Sequence, residues 1–106
     1  MGDNGMERHD VKFDPERLGE FCRRHGVRRL ALFGSILGPG FGPQSDVDLL
    51  VEFLPGTRVG YLAMARMERE LGQMLGRRVD LRTPAELSRH FRDEVMGKSV
   101  VQYCAQ

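Results

Sequence analysis

Asp46-Val47-Asp48 sets two carboxylates two residues apart at the head of an apolar run, Val47 to Phe53, and ten residues separate it from Gly34-Ser35, which closes an earlier apolar run, Leu30-Ala31-Leu32-Phe33. Side chains alternate along a strand, so Asp46 and Asp48 point to the same side. Two carboxylates on one face repel unless a cation sits between them. Oxygen-only ligands favour a hard ion such as Mg²⁺, which usually binds one or two carboxylates together with substrate phosphates. Gly34 lets a bulky ligand approach the backbone, and a phosphate could rest there on main-chain N–H groups and the Ser35 hydroxyl. A third carboxylate lies in Arg78-Val79-Asp80-Leu81-Arg82, a short strand pattern whose Val79 and Leu81 would face a core and leave Asp80 opposite. If that strand pairs beside the Asp46/Asp48 strand, three carboxylates converge. One could then act as general base on an acceptor hydroxyl or help hold a second metal. Such a set suits the handling of a nucleoside triphosphate with a metal ion.

The elements around these residues decide whether they meet. Ile36 to Ser45 contains Gly38, Pro39, Gly40, Gly42 and Pro43, which allows at most one helical turn. Parallel neighbours need a longer crossover, so the two apolar runs are expected as antiparallel strands, with Ser35 brought toward Asp46. Asp14-Pro15 reads as an N-cap followed by a first-turn proline, and Leu18, Phe21, Cys22 and His25 fall at helical spacing as far as Gly26. Tyr61 to Leu75 carries Met64, Met67, Leu71 and Met74 on one stripe and stops at Gly76, a core-filling pattern rather than a ligand site. Thr83-Pro84-Ala85-Glu86 has capping-box spacing and opens a third helix, with Leu87, Phe91 and Val95 as its apolar stripe down to Gly97. Val100 to Tyr103 is expected as an edge strand. Residues 1–10 have little to bury and are expected to be mobile. The fold class is α/β (α+β): a small mixed sheet, helices mainly over one face and an open cleft on the other.

The stretch Leu32 to Leu81, with LFGSILGPGFGPQSDVDLLVEF as its signature and RRVDLRT as its later strand, resembles the minimal nucleotidyltransferases of the DNA polymerase beta superfamily. The combination is specific where a lone D-x-D is weak. The resemblance implies a polymerase-beta-like nucleotidyltransferase fold over residues 11–106 and use of ATP with Mg²⁺. It makes Asp46 and Asp48 metal ligands, Asp80 the third carboxylate, and Gly34-Ser35 the grip on the triphosphate. Members often read G-S-x-A-R-G, and the arginine position here is Gly38, one phosphate-facing cation fewer. Minimal nucleotidyltransferases often act as antitoxins that adenylylate a tyrosine of a helical HEPN-type ribonuclease toxin, and this is the function the resemblance favours. The alternatives are an antitoxin or regulator that binds its partner without catalysis, which Gly38 supports, and a transferase with a small-molecule acceptor.

Length and charge bound the rest. At 106 residues the chain is expected to hold one small domain, so its acceptor must be very small or be presented by another protein. A formal charge of +1, with arginines scattered rather than clustered, gives no general attraction to nucleic acid. Cys22 and Cys104 fit neither a disulfide framework nor a metal-site spacing, and neither a signal peptide nor a long apolar span is seen. A cytoplasmic protein that contacts neither membrane nor nucleic acid is expected. Position 6 is Met6, which does not suit N-myristoylation. Plainer roles compete for some residues. Asp46 could merely follow a turn, Asp80 could pair with Arg78 or Arg82 as a strand-edge charge, and Arg82 could instead neutralise phosphate. Glu52 shares the Asp48 face but sits at its far end and is expected to be solvated. Gly38 to Gly42 superficially resembles a dinucleotide-binding loop, but a strand follows where a helix is needed, which leaves a lid or turn. His25 and His90 are expected as structural histidines, and His9 as exposed.

Overall fold

Two apolar runs joined by a Gly/Pro-rich loop form a hairpin at the centre of the fold. In the computed structural model, which describes residues 11–34, 42, 44–87 and 89–105, β1 (Val27–Phe33) and β2 (Val47–Phe53) pair antiparallel with Phe33 opposite Asp48. β1 begins three residues before the apolar run, at Val27, because the ladder with β2 extends to Phe53 past an irregularity between Val27 and Arg29. The helix α1 (Pro15–His25) precedes β1, with the Asp14 carboxylate accepting the Glu16 N–H at 3.1 Å as its cap. The helix α2 (Tyr61–Leu75) carries the chain from β2 to β3 (Val79–Arg82), and this crossover lets β3 lie parallel to β2. After β3 come a 3-10 turn (Pro84–Glu86), the helix α3 (Arg89–Lys98) and β4 (Val100–Cys104), which pairs antiparallel with β1. The order across the four-stranded mixed sheet is β3-β2-β1-β4.

The main core is a continuous cluster on one face of the sheet. Leu18, Phe21 and Cys22 of α1 and Met67 and Leu71 of α2 pack there on Leu30, Leu32, Val47, Leu49, Val51, Val79 and Leu81. The methionine stripe is core filling, with Met67 buried and Met64 and Met74 at the margin. Arg24 and His25 at the end of α1 both reach Glu70 of α2, at 2.7 and 3.4 Å, and His25 packs on the Phe21 ring with centroids 4.6 Å apart. His25 is therefore the structural histidine its spacing suggests.

Two expectations about elements need correction. The helix expected from Thr83 to Gly97 is split, because Leu87 is extended (φ −87°, ψ 145°) between the 3-10 turn and α3. The Thr83 N–H donates to Glu86 Oε1 at 2.8 Å, so the capping box closes a short turn, and Arg92 donates to the carbonyls of Pro84 and Leu87 at 2.8 and 3.2 Å. The second sheet face is also less open than expected. Val95 of α3 packs with Phe33 and Leu50 in a smaller cluster flanked by Leu87 and Met96. Asp48 shares that face with Leu50, so it lies on a side of the sheet that α3 partly covers. The expectations for residues 1–10 and the loop at 36–41, and for the side chains of His90 and Phe91, fall outside the described residues.

Candidate active site

Parallel register places the second and third carboxylates side by side. Val47 pairs with Val79, Asp48 with Asp80 and Leu49 with Leu81. Because the flanking residues Val47, Leu49, Val79 and Leu81 are all buried in the main core, alternation turns Asp48 and Asp80 together to the other face. Asp46 stands one residue ahead of β2.

Gly34, at the end of β1, lies directly against Asp48. Its φ is +79°, and a Cβ there would collide with Asp48 Oδ2. A side chain is excluded twice, by the left-handed backbone and by the carboxylate that occupies the space. The glycine thus ends β1, and Asp48 closes over the backbone where the sequence places a phosphate grip. Ser35, the other half of that grip, lies outside the described residues.

The outer carboxylates are each engaged by an arginine from their own neighbourhood. Asp46, 48% exposed, faces Arg78 Nε at 3.4 Å. Asp80, 36% exposed, receives Arg82 Nε at 3.1 Å on Oδ1 and Nη2 at 3.2 Å on Oδ2, and these bonds to Asp80 raise the Arg82 pKa above its usual value. The strand-edge pairing weighed for Asp80 is therefore present, and Arg82 is held by that carboxylate. Among the described residues, no three His, Cys, Asp or Glu side chains gather closely enough to hold a metal ion. The strands put Asp48 and Asp80 on a common face, and Arg78 and Arg82 engage the outer two carboxylates. Ion pairs this exposed are worth about 0–1 kcal/mol, so a divalent cation arriving with a triphosphate can displace them. The all-oxygen donor set fits Mg²⁺.

Glu52 departs from its expected solvation. Its side chain is only 17% exposed and takes Arg29 Nε at 2.8 Å and Arg28 Nη2 at 3.4 Å across the hairpin. Cross-strand charge pairing accounts for it, and it stands at the far end of β2 from Asp46 and Asp48.

Two side chains that hold the site are inconspicuous in the sequence. Glu68 of α2 accepts the Leu81 N–H at 2.7 Å, which satisfies the outer edge of β3 next to Asp80. Its position four residues after Met64, on the margin of the apolar stripe, is a weak signal for it. Arg77 bonds to the carbonyls of Gly42 and Ser45, 35 and 32 residues away, and no local pattern marks that role. A cavity of about 550 Å³ opens between α2 and β3, lined in part by Val59, Tyr61, Glu68, Asp80, Arg82 and Glu86. It reaches Asp80 but is not lined by Asp46 or Asp48.

Known proteins resemble this chain in sequence and in fold. Residues 16–102 match the nucleotidyltransferase domain family. A Methanocaldococcus jannaschii protein, provisionally named a protein adenylyltransferase, is 34% identical over 77 residues, which cover 73% of this chain and 81% of that protein. A solved structure described provisionally as a minimal nucleotidyltransferase is 34% identical and superimposes with a TM-score of 0.67 over 81% of this chain and 86% of its own. A Shewanella oneidensis MNT antitoxin in complex with a tri-AMPylated HEPN toxin shares the fold, with a TM-score of 0.61 at 18% identity over 87% of this chain and 71% of that one. With a match across 16–102 and the carboxylates of β2 and β3 in register, the first of them against Gly34, the chain belongs to the nucleotidyltransferase domain family, as one of the minimal nucleotidyltransferases.

Proposed function

We propose that this nucleotidyltransferase moves AMP from ATP to a hydroxyl of a partner protein, a tyrosine, and thereby acts as antitoxin to a HEPN-type toxin. The observation that carries the chemistry is the in-register pair Asp48 and Asp80, with Asp48 set against Gly34. Support for the acceptor class comes from the relatives, one named for protein adenylyl transfer and one solved beside an AMPylated HEPN toxin.

Asp46 and Asp48 would hold Mg²⁺, with Asp80 as third carboxylate. When bound, the ion offsets the triphosphate charge and polarises the α-phosphoryl group. Gly34 and Ser35 grip the triphosphate. Asp80 takes the proton of the acceptor hydroxyl, whose oxygen bonds to the α-phosphorus in line as the bond to the bridging oxygen breaks, and pyrophosphate leaves. The cavity beside Asp80 gives the acceptor an approach to that carboxylate. Among the described residues, no helix is long and apolar enough to cross a membrane, and a cytoplasmic site of action agrees with this.

The test mixes the protein with its HEPN-type partner, ATP and Mg²⁺, and reads the partner's intact mass. The expected outcome is a covalent increase of one or more AMP units, lost with Asp46→Ala/Asp48→Ala. Gly38 in place of the usual arginine favours a second reading, neutralisation by contact alone. That reading stands if no mass increase appears with the natural sequence while the double variant still protects cells from the toxin.

A further inference from the structure

We infer that Arg77 is the positioning residue of the first carboxylate: its guanidinium ties down the end of the Gly/Pro-rich loop and thereby fixes Asp46 for metal binding. The inference rests on the assignment of Asp46 and Asp48 as metal ligands. Asp46 lies outside the β1–β2 ladder, whose last pair at this end joins Phe33 to Asp48. Its placement must come from elsewhere.

The residues on either side of it supply the placement. Between Gly42 and Ser45 the chain closes on itself. The Ser45 N–H donates to the Gly42 carbonyl at 3.0 Å, and the Gly42 N–H donates to Ser45 Oγ at 3.0 Å. Arg77 Nη2 donates to the carbonyls of both residues, at 3.0 Å to Ser45. The Val47 N–H donates to the Arg78 carbonyl at 2.9 Å, and Arg78 faces the Asp46 carboxylate. The peptide groups flanking Asp46 are therefore both anchored to the turn between α2 and β3, one by the Arg77 side chain and one by the Arg78 backbone.

Arg77 is itself held close to α2. Its N–H donates to the Gly72 carbonyl at 3.1 Å, and its own carbonyl lies so near Gly72 that a Cβ there would come within 2.9 Å. Charged hydrogen bonds to carbonyls are stronger than neutral ones. A planar guanidinium also orders a loop in a way a lysine ammonium does not. Glycine has the most backbone freedom to lose, so the clamp on Gly42 and Ser45 supplies order that Gly42 itself does not.

Arg77→Lys keeps the charge and the aliphatic stem and is the folding-safe variant. Amide exchange in the apo protein reads the clamp directly. The Ser45 and Val47 amides, which donate to Gly42 and Arg78, should exchange about 10-fold faster in the variant, with Leu49 to Val51 unchanged. Mn²⁺ binding, followed by water-proton relaxation, reads the consequence. Affinity should fall about 10-fold, guanidinium added to Arg77→Ala should restore it, and the lysine change should have no further effect once Asp46 is Asn. Unchanged exchange overturns the clamp. Faster exchange with unaltered Mn²⁺ affinity overturns its positioning role, and so does a loss of affinity as large in the Asp46→Asn background. If the natural protein binds no Mn²⁺, the metal-ligand assignment fails first and takes this role with it, whereas the exchange result still stands as a structural finding.

Discussion

Replacing Gly34 with alanine should damage this protein in two separable ways, and a second glycine supplies the control. Gly34 and Gly56 have nearly the same backbone, with φ of +79° and +86°. A Cβ at Gly56 meets nothing within 4 Å, whereas at Gly34 it collides with Asp48 Oδ2. An L-residue in the left-handed region costs about 1–2 kcal/mol, and both variants bear that cost. At about 4–8 °C per kcal/mol for a domain of this size, Gly56→Ala should lower Tm by about 4–16 °C. Gly34→Ala should lose a further ~1–3 kcal/mol, the usual penalty for overpacking, because Asp48 must rotate away from its place. Calorimetric melts of the two variants give the difference. Adding Asp48→Ala to Gly34→Ala removes the carboxylate from the collision and leaves a tight 3.1 Å approach to Cβ and the backbone strain, so the two changes should be non-additive by up to ~1–3 kcal/mol. Mn²⁺ affinity should collapse in Gly34→Ala and persist in Gly56→Ala. Equal melting losses for the two glycines, together with additivity on Asp48→Ala, would refute the view that Asp48 is seated on the Gly34 backbone.

Asp80→Asn should shift stability by less than ~1 kcal/mol, since its pair with Arg82 is exposed, while abolishing AMP transfer; a large Tm loss with transfer retained would reverse its role. Cys22 is buried, and burial pushes its thiol up to about 12, whereas Cys104 is exposed, so a thiol reagent at neutral pH should label one cysteine in the native protein and both after denaturation. The hydrogen bond from Arg24 holds the Glu70 carboxyl below its usual range, so the stability it contributes is present above the unfolded carboxylate pKa and is lost as pH falls through the folded one. Melts of Glu70→Gln against the natural protein should differ by up to ~1 kcal/mol at neutral pH and converge in acid.

How much of this was legible in the sequence depended on the range of the interaction. Alternation in Val47 to Phe53 and in Val79 to Leu81 announced which residues face the core, and with it the shared side of Asp48 and Asp80. The glycine and proline content of the connection announced the antiparallel hairpin. The break at Leu87 was hidden because capping-box spacing is the same for a single 3-10 turn and for a full helix, and the bonds from Arg92 to the carbonyls of Pro84 and Leu87 span eight and five residues. Glu52 looked like a solvent-facing charge because its partners, Arg28 and Arg29, sit on another strand. Glu68 and Arg77 act on backbone groups 13 to 35 residues away. Side-chain-to-backbone bonds of that reach leave no periodic trace.

The three carboxylates stand on backbone of unequal rigidity, and the devices around them compensate. Asp48 sits between Val47 and Leu49, both fully buried, in a strand paired on both sides, so the core itself fixes it. Asp80 lies on an edge strand with a ladder on one side only, and Glu68 binds the next peptide N–H on the other. Asp46 precedes its strand, and the flanking peptides are tied to the α2–β3 turn by Arg77 and Arg78. Each tether is itself anchored on α2 or its C-terminal turn, and α2 is the crossover that makes β3 parallel to β2. One helix therefore does three jobs: it sets the register that pairs Asp48 with Asp80, it closes the open edge beside Asp80, and it carries the turn that holds Asp46. A change that loosens α2 from the sheet, such as truncation of buried Leu71, should disturb the outer two carboxylates before the central one.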